Sequence, residues 1–175
     1  MKGFSAIVCT LLVAASSTCF AAAPILHVTK MATINAPVAK VWDAVKDFNG
    51  LNTWHPAVAT DQIVEGTNNQ AGAVRLLTLK GGGTIKEKLL GFDAANHSFK
   101  YAIVEGVLPV SSYTSTFSVK AAGEGKSEVT WLGEFKRKNV GDAPADNEND
   151  KTATDTISGV YQGGLDNLKK MLEGK

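Results

Sequence analysis

The group best suited to move a proton near neutral pH is His55, set between Trp54 and Pro56, because an imidazole titrates close to neutrality. A histidine gripped by two rigid neighbours either meets a ligand at a pocket mouth or anchors the corner in which it sits. Proton abstraction by such a ring also needs an orienting acid, and no Asp or Glu stands near enough in sequence to be its evident partner. Arg75 and Glu87 form a second pair, on strand-like segments joined by Lys80-Gly81-Gly82-Gly83. Buried charges must be paired, so the two are read either as a floor orienting a polar ligand group or as an ion pair fixing hairpin register. Tyr101 and Tyr113 either aim hydroxyls into a cavity or pack as wall and reach backbone carbonyls. Trp131 and Tyr161, on the last strand and the final helix, complete the candidate ligand-binding set with Trp54. No residue is assigned a catalytic role.

Other chemistry is excluded by spacing. The three histidines form no HxH or HExxH arrangement, so no metal site and no cofactor are expected. The Lys80–Gly83 run lies between two strands and lacks the lysine-serine/threonine end of a phosphate loop, so it is a turn. Asp142, Asp146, Glu148 and Asp150 lack the glycine and glutamate spacing of a calcium loop. No basic patch or nucleic-acid motif is present, so no nucleic-acid partner is expected.

The elements that would position these residues are read from periodicity. Residues 26–34 alternate as a first strand, with Val28, Ala32 and Ile34 on one face. Pro37 then opens a short helix whose stripe is Val38, Val41, Trp42, Val45 and Phe48, closed by Gly50 as a left-handed cap. A short helical turn is expected at 51–54. Six more strands follow at about 61–65, 74–79, 84–92, 99–104, 113–119 and 129–136. Their alternation places Arg75, Leu77 and Leu79 on one face, then Ile85, Glu87 and Leu89, then Phe99, Tyr101 and Ile103. Tyr113, Ser115, Phe117 and Val119, and Val129, Trp131, Gly133 and Phe135, continue that face. Residues 139–150 read as a loose polar lead-in to a long helix over 150–173. Its stripe is Ala153, Ile157, Val160, Tyr161, Leu165, Leu168, Met171 and Leu172. Gly159, Gly163 and Gly164 lie inside it, where each costs roughly 1 kcal/mol against alanine. They are there either to leave room for a ligand, the reading preferred here, or to let the helix approach the sheet.

The amino terminus reads as a leader: Lys2, an apolar run over 7–15, and Cys19-Phe20-Ala21 as a small-x-small cleavage site. Cutting after Ala21 would remove both cysteines and leave one domain, residues 22–175, in the periplasm. The run is too short for a membrane span, and Ser16 is the wrong residue for a lipid anchor. Without Lys2, the 18 basic side chains fall to 17, balancing 17 acidic ones.

The strand, short helix, six strands and long helix, together with INAPVAKVWDAVKDF at 34–48 and Trp54-His55-Pro56, resemble the SRPBCC superfamily of StAR-related, pollen-allergen-like helix-grip proteins. Residues 72–79 (GAVRLLTL), 85–93 (IKEKLLGFD), 101–110 (YAIVEGVLPV) and 129–135 (VTWLGEF) are similar to its polyketide cyclase/dehydrase and lipid transport branch. The resemblance implies an α+β helix-grip fold: a seven-stranded curved antiparallel sheet wrapped around a long C-terminal helix, with one or two short helices after the first strand. It implies a pocket for a small hydrophobic or amphipathic molecule. Two further roles go with it. One is a cyclase or dehydratase using His55 as base and Arg75 or a tyrosine at a developing oxyanion. The other is an exported accessory protein of the MxaD type, partnering a periplasmic quinoprotein (methanol) dehydrogenase or its cytochrome.

Overall fold

The computed structural model describes residues 23–174; the expected leader, with Cys9 and Cys19, lies outside them. The described chain begins with β1 (Leu26–Ile34), α1 (Val38–Val45) and a 3-10 turn at Leu51–Thr53. β2 (Val58–Glu65), β3 (Val74–Leu79), β4 (Thr84–Asp93), β5 (Ser98–Gly106), β6 (Val110–Ala121) and β7 (Ser127–Arg137) follow. A second 3-10 turn, Asp146–Glu148, leads into α2 (Asp150–Glu173).

The strands form one sheet in the order β1-β7-β6-β5-β4-β3-β2, with every adjacent pair antiparallel. β2 to β7 meander, while α1 and the first 3-10 turn carry the chain from one edge strand to the other. Register shifts at Val58/Thr60, Ile63/Glu65, Lys86/Glu87, Leu89/Gly91 and Ser111/Thr114 interrupt the ladders. Each such bulge adds bend and twist, so the sheet curls and encloses α2. This is the helix-grip architecture. The inward sets are buried as alternation requires, from Leu77 and Leu89 through Phe117 and Val119 to Val129 and Phe135.

α2 is defined at both ends by its own residues. The Asn149 side chain accepts the Thr152 N–H at 2.8 Å, and Gly174 closes the helix at φ 70° with its N–H on the Lys170 carbonyl. Ala153, Ile157, Tyr161, Gly164, Leu165 and Leu168 are its buried stripe. The stripe fades in the last turn: Met171 is exposed, and polar contacts take over. Lys169 Nζ donates to the Thr33 carbonyl at 2.8 Å, and the Asn35 N–H donates to Glu173 Oε1 at 2.8 Å.

α1 is shorter than its apolar stripe. It stops at Val45 because Asp47 Oδ1 accepts the Asn49 N–H at 2.9 Å, offering the backbone a turn in place of the helix. Phe48 therefore leaves the helix yet stays buried. Gly50 is not a left-handed cap: its φ is −121°. Its missing side chain matters for space, since a Cβ there would lie 3.1 Å from that of Asp47. The lead-in to α2 is also tied down. Arg137 donates to the Asn139 and Gly141 carbonyls, each at 2.7 Å, and to Asp150 at 2.8 Å.

Candidate ligand cavity

Between the concave sheet face and α2 lies a cavity of about 70 Å³. Leu77, Leu79, Ile85 and Ile103 wall it from the sheet, Leu51, Ala57 and Val58 from the segment around β2, and Ile157 and Val160 from α2. Its polar-bearing residues are His55, Glu87, Tyr101, Tyr113, Trp131 and Tyr161. Six of the eight candidates thus meet at one space. The other two, Trp54 and Arg75, are buried behind it and hold the lining in place. An apolar cavity of about 150 Å³ takes up benzene, so this one in its present shape admits a group of only a few heavy atoms.

Arg75 and Glu87 face each other in the β3–β4 register. Arg75 Nε and Nη2 both reach Glu87 Oε2, at 2.8 and 2.6 Å. Nη1 donates to the Phe48 carbonyl at 2.6 Å and lies 3.4 Å from Asp61 Oδ2. The guanidinium also sits 4.1 Å from the centroid of the Phe48 ring. Arg75, Glu87 and Asp61 are 2%, 5% and 8% exposed, so this is an interior triad of one cation and two carboxylates. Glu87 Oε1 accepts no hydrogen bond from the described residues, and Glu87 lines the cavity. Asp61 Oδ2 accepts the Leu51 N–H at 2.9 Å, whereas its Oδ1 is buried without a partner. Burial lifts Asp61 to about 6, against the pull of Arg75 and the Leu51 N–H. Burial likewise raises Glu87, with Arg75 opposing. Arg75 is held charged because its two carboxylates outweigh the desolvation that would lower it. The structure thus shows the structural ion pair, in which Arg75 fixes one oxygen of Glu87 and leaves the other without a protein donor.

His55 is occupied at both ring nitrogens. Nδ1 accepts the Ala57 N–H at 3.2 Å, which leaves the proton on Nε2 to be donated to the Val160 carbonyl at 3.0 Å. Burial lowers its pKa, the Val160 bond opposes, and the Arg75 charge adds to the lowering. A neutral ring with its one acceptor site filled by a backbone N–H is an anchor between the β2 corner and α2, not a poised base. The anchor exists because Gly164 has no side chain. A Cβ there would lie 2.6 Å from His55 Cδ2 and 2.9 Å from Trp131 Cζ3. The glycine thus admits two aromatic side chains rather than a ligand, which overturns the room-making expectation. Gly159 and Gly163 have nothing within 4 Å of their built Cβ positions and clear no space either.

The tyrosines form a closed cluster. Tyr161 donates to Ser115 Oγ at 3.0 Å, so its bond with Tyr113 is made by the Tyr113 proton. Trp131 Nε1 donates to both Tyr101 Oη, at 2.9 Å, and Ser115 Oγ, at 3.1 Å. Ser115 passes its own proton to the Leu132 carbonyl at 2.8 Å. The Trp131 and Tyr161 rings stack at 4.4 Å, and Gly133 gives the Tyr161 hydroxyl its place, since a Cβ there would overlap it. Burial pushes Tyr101 up to about 12 and raises Tyr113 and Tyr161 as well, so all three stay protonated at neutral pH.

Residues 26–173 match the family described as polyketide cyclase / dehydrase and lipid transport. The chain belongs to this family. Within the polyketide cyclase / dehydrase and lipid transport family and its wider fold, solved relatives agree with the architecture. The chain is 30% identical to XoxI from Bacillus cereus, with a TM-score of 0.74 over 84% of this chain and 95% of that one. It is also 30% identical to an uncharacterised protein from Bacillus thuringiensis, again at 0.74, over 85% and 99% of the two chains. Ara h 8.0201, at 23% identity, shares the fold with a TM-score of 0.67 over 87% and 100%. In this member of the polyketide cyclase / dehydrase and lipid transport family, Asp61 and Ser115 belong to the site although neither stands in the candidate set. Ser115 carries a legible sign, an inward polar residue on β6. Asp61 carries none, because its meeting with Arg75 depends on a β2–β3 register that is shifted by a bulge on either side of it.

Proposed function

We propose that the chain is a non-catalytic binder of a small amphipathic molecule, whose polar end enters the cavity while an apolar remainder lies against the aliphatic wall. The observation that carries this reading is the cavity itself: aliphatic over most of its surface, with one carboxylate oxygen and a tyrosine cluster grouped at one place. Specific sites of small ligands have this composition, a largely apolar wall with a few fixed polar groups. The enzyme alternative is weaker, because His55 has no free nitrogen and Arg75 is spent on Glu87, Asp61 and the Phe48 carbonyl. The leader-like amino terminus supports a periplasmic location for this binder. Native mass spectrometry of protein isolated from its own cells tests the reading. A stoichiometric small molecule released on denaturation is the expected result; apoprotein alone, together with no uptake from a library of small amphiphiles, would overturn it.

A second reading has its own support. Asp142, Asp146 and Glu148 lie on a segment that Arg137 fastens at both ends, which makes it a fixed acidic surface. In that reading the chain is an MxaD-type accessory whose acidic face meets a periplasmic dehydrogenase or a basic cytochrome. Loss of a pull-down partner on neutralising those three residues, with the cavity untouched, is the expected outcome.

A further inference from the structure

The groups around the cavity have a one-sided hydrogen-bonding surplus. Its N–H donors are used: Trp131 Nε1 on Tyr101 and Ser115, and His55 Nε2 on the Val160 carbonyl. What remains over is acceptor capacity. Glu87 Oε1 takes nothing from the protein, because both Arg75 contacts fall on Oε2. Tyr101 Oη accepts a single N–H and shares its own proton with Tyr113 and Ser115, and Tyr113 Oη, a donor to Tyr161, keeps one lone pair over. Charge is one-sided as well. One guanidinium faces two carboxylates in an interior where every member is at least nine-tenths buried, and ionic contacts there are weakly screened. A geometry with two short contacts from Arg75 to one oxygen is that of an ionised carboxylate.

We propose that the cavity selects a small cationic nitrogen, a primary ammonium on a short alkyl or similarly slim apolar chain, seated on Glu87 Oε1 beside the Tyr101 and Tyr113 hydroxyls. This rests on the binder reading above and names its ligand class. Three N–H donors of an ammonium match the three groups with acceptor capacity left, and its charge balances the triad. A hydroxyl brings one donor and no charge. A carboxylate brings a second anion to face Glu87 with no free N–H to receive it, and two carboxylates forced together in a buried site cannot both stay ionised. The size agrees, since about 70 Å³ holds an ammonium and its first carbons but no ring system. Leu79, Ile103 and Leu108 line the same space and would carry the rest of the chain.

The test is isothermal titration of the full mature protein at pH 7 with three matched ligands of one length: n-hexylammonium, n-hexanol and n-hexanoate. An n-propyl set serves as the short-chain control. The proposal expects the ammonium to bind at least about tenfold more tightly than the alcohol, from a charge-assisted hydrogen bond in place of a neutral one, and hexanoate not to bind. It expects Glu87→Gln, checked for native fold by circular dichroism, to erase the difference between ammonium and alcohol. Equal binding of ammonium and alcohol, or preferred binding of hexanoate, overturns the ligand class while leaving a working cavity. Binding of none of the six overturns the binder reading and this inference with it. If the Gln variant does not fold, the wild-type ranking alone decides.

Discussion

Gly164 is the position at which helix propensity and packing oppose each other, and the sign of a substitution there tests how the cavity wall is built. Replacing a helix-interior glycine by alanine is worth about 1 kcal/mol of stability when the methyl meets nothing. At Gly164 the methyl would sit 2.6 Å from His55 Cδ2, 2.9 Å from Trp131 Cζ3 and 3.0 Å from His55 Nε2. His55 cannot yield without losing its bonds to the Val160 carbonyl and the Ala57 N–H. Trp131 is stacked on Tyr161 and bonded to Tyr101 and Ser115. Overpacking costs about 1–3 kcal/mol, and losing the Val160 bond adds about 1 kcal/mol. Against the propensity gain, Gly164→Ala should destabilise by about 1–3 kcal/mol. Gly163→Ala, one residue away with open space around it, should stabilise by up to about 1 kcal/mol. Urea unfolding of the two variants beside the parent measures both. If Gly164→Ala proves as stabilising as Gly163→Ala, the His55–Val160 anchor and the tight seam between α2 and Trp131 are wrong.

Asp61→Asn probes the triad by pH. The folded chain keeps the Asp61 proton up to about 6, while the unfolded chain releases it near the ordinary 3.8. The contribution is therefore full below about 3.8 and lost as pH rises from there to about 6, by up to about 3 kcal/mol. Unfolding free energies measured across that window should show the Asn variant without this fall, and parallel profiles would contradict the assignment. Tyr161→Phe removes the acceptor of the buried Tyr113 proton and a donor to Ser115, and should cost about 1–3 kcal/mol in chemical denaturation. Asn149→Ala removes the bond to the Thr152 N–H and should cost about 1 kcal/mol, seen as a lower urea midpoint with an unchanged slope.

The fold could be read from the chain where one physical rule dominates locally. β1, β3 and α2 have the expected bounds because alternation or helical periodicity runs unbroken and their ends carry turn or cap residues. β2 and β6 begin earlier than alternation indicates. The shift between Val58 and Thr60 hides the start of one, and the Ser111/Thr114 bulge, with Ser112 at φ 49°, hides the start of the other. The inward residues of the site were visible for the same reason of period two. Roles were less visible, because they depend on contacts between segments far apart in sequence. His55 is an anchor only because Gly164 lies opposite, and Arg75 stands behind the wall because Asp61 and the Phe48 carbonyl draw it there. How much space is left between sheet and helix is the sum of many side-chain volumes, which no periodicity encodes.

Three indoles report from different places: Trp131 at the cavity wall, Trp54 behind it, and Trp42 against Phe92, His97 and Phe99. Following their N–H resonances by NMR while short n-alkyl amines and alcohols are titrated in is the most direct test of an interior binding site. The account predicts a saturable shift of the Trp131 resonance with that of Trp42 unmoved. Three stationary resonances, or three moving together in proportion to ligand, would contradict it.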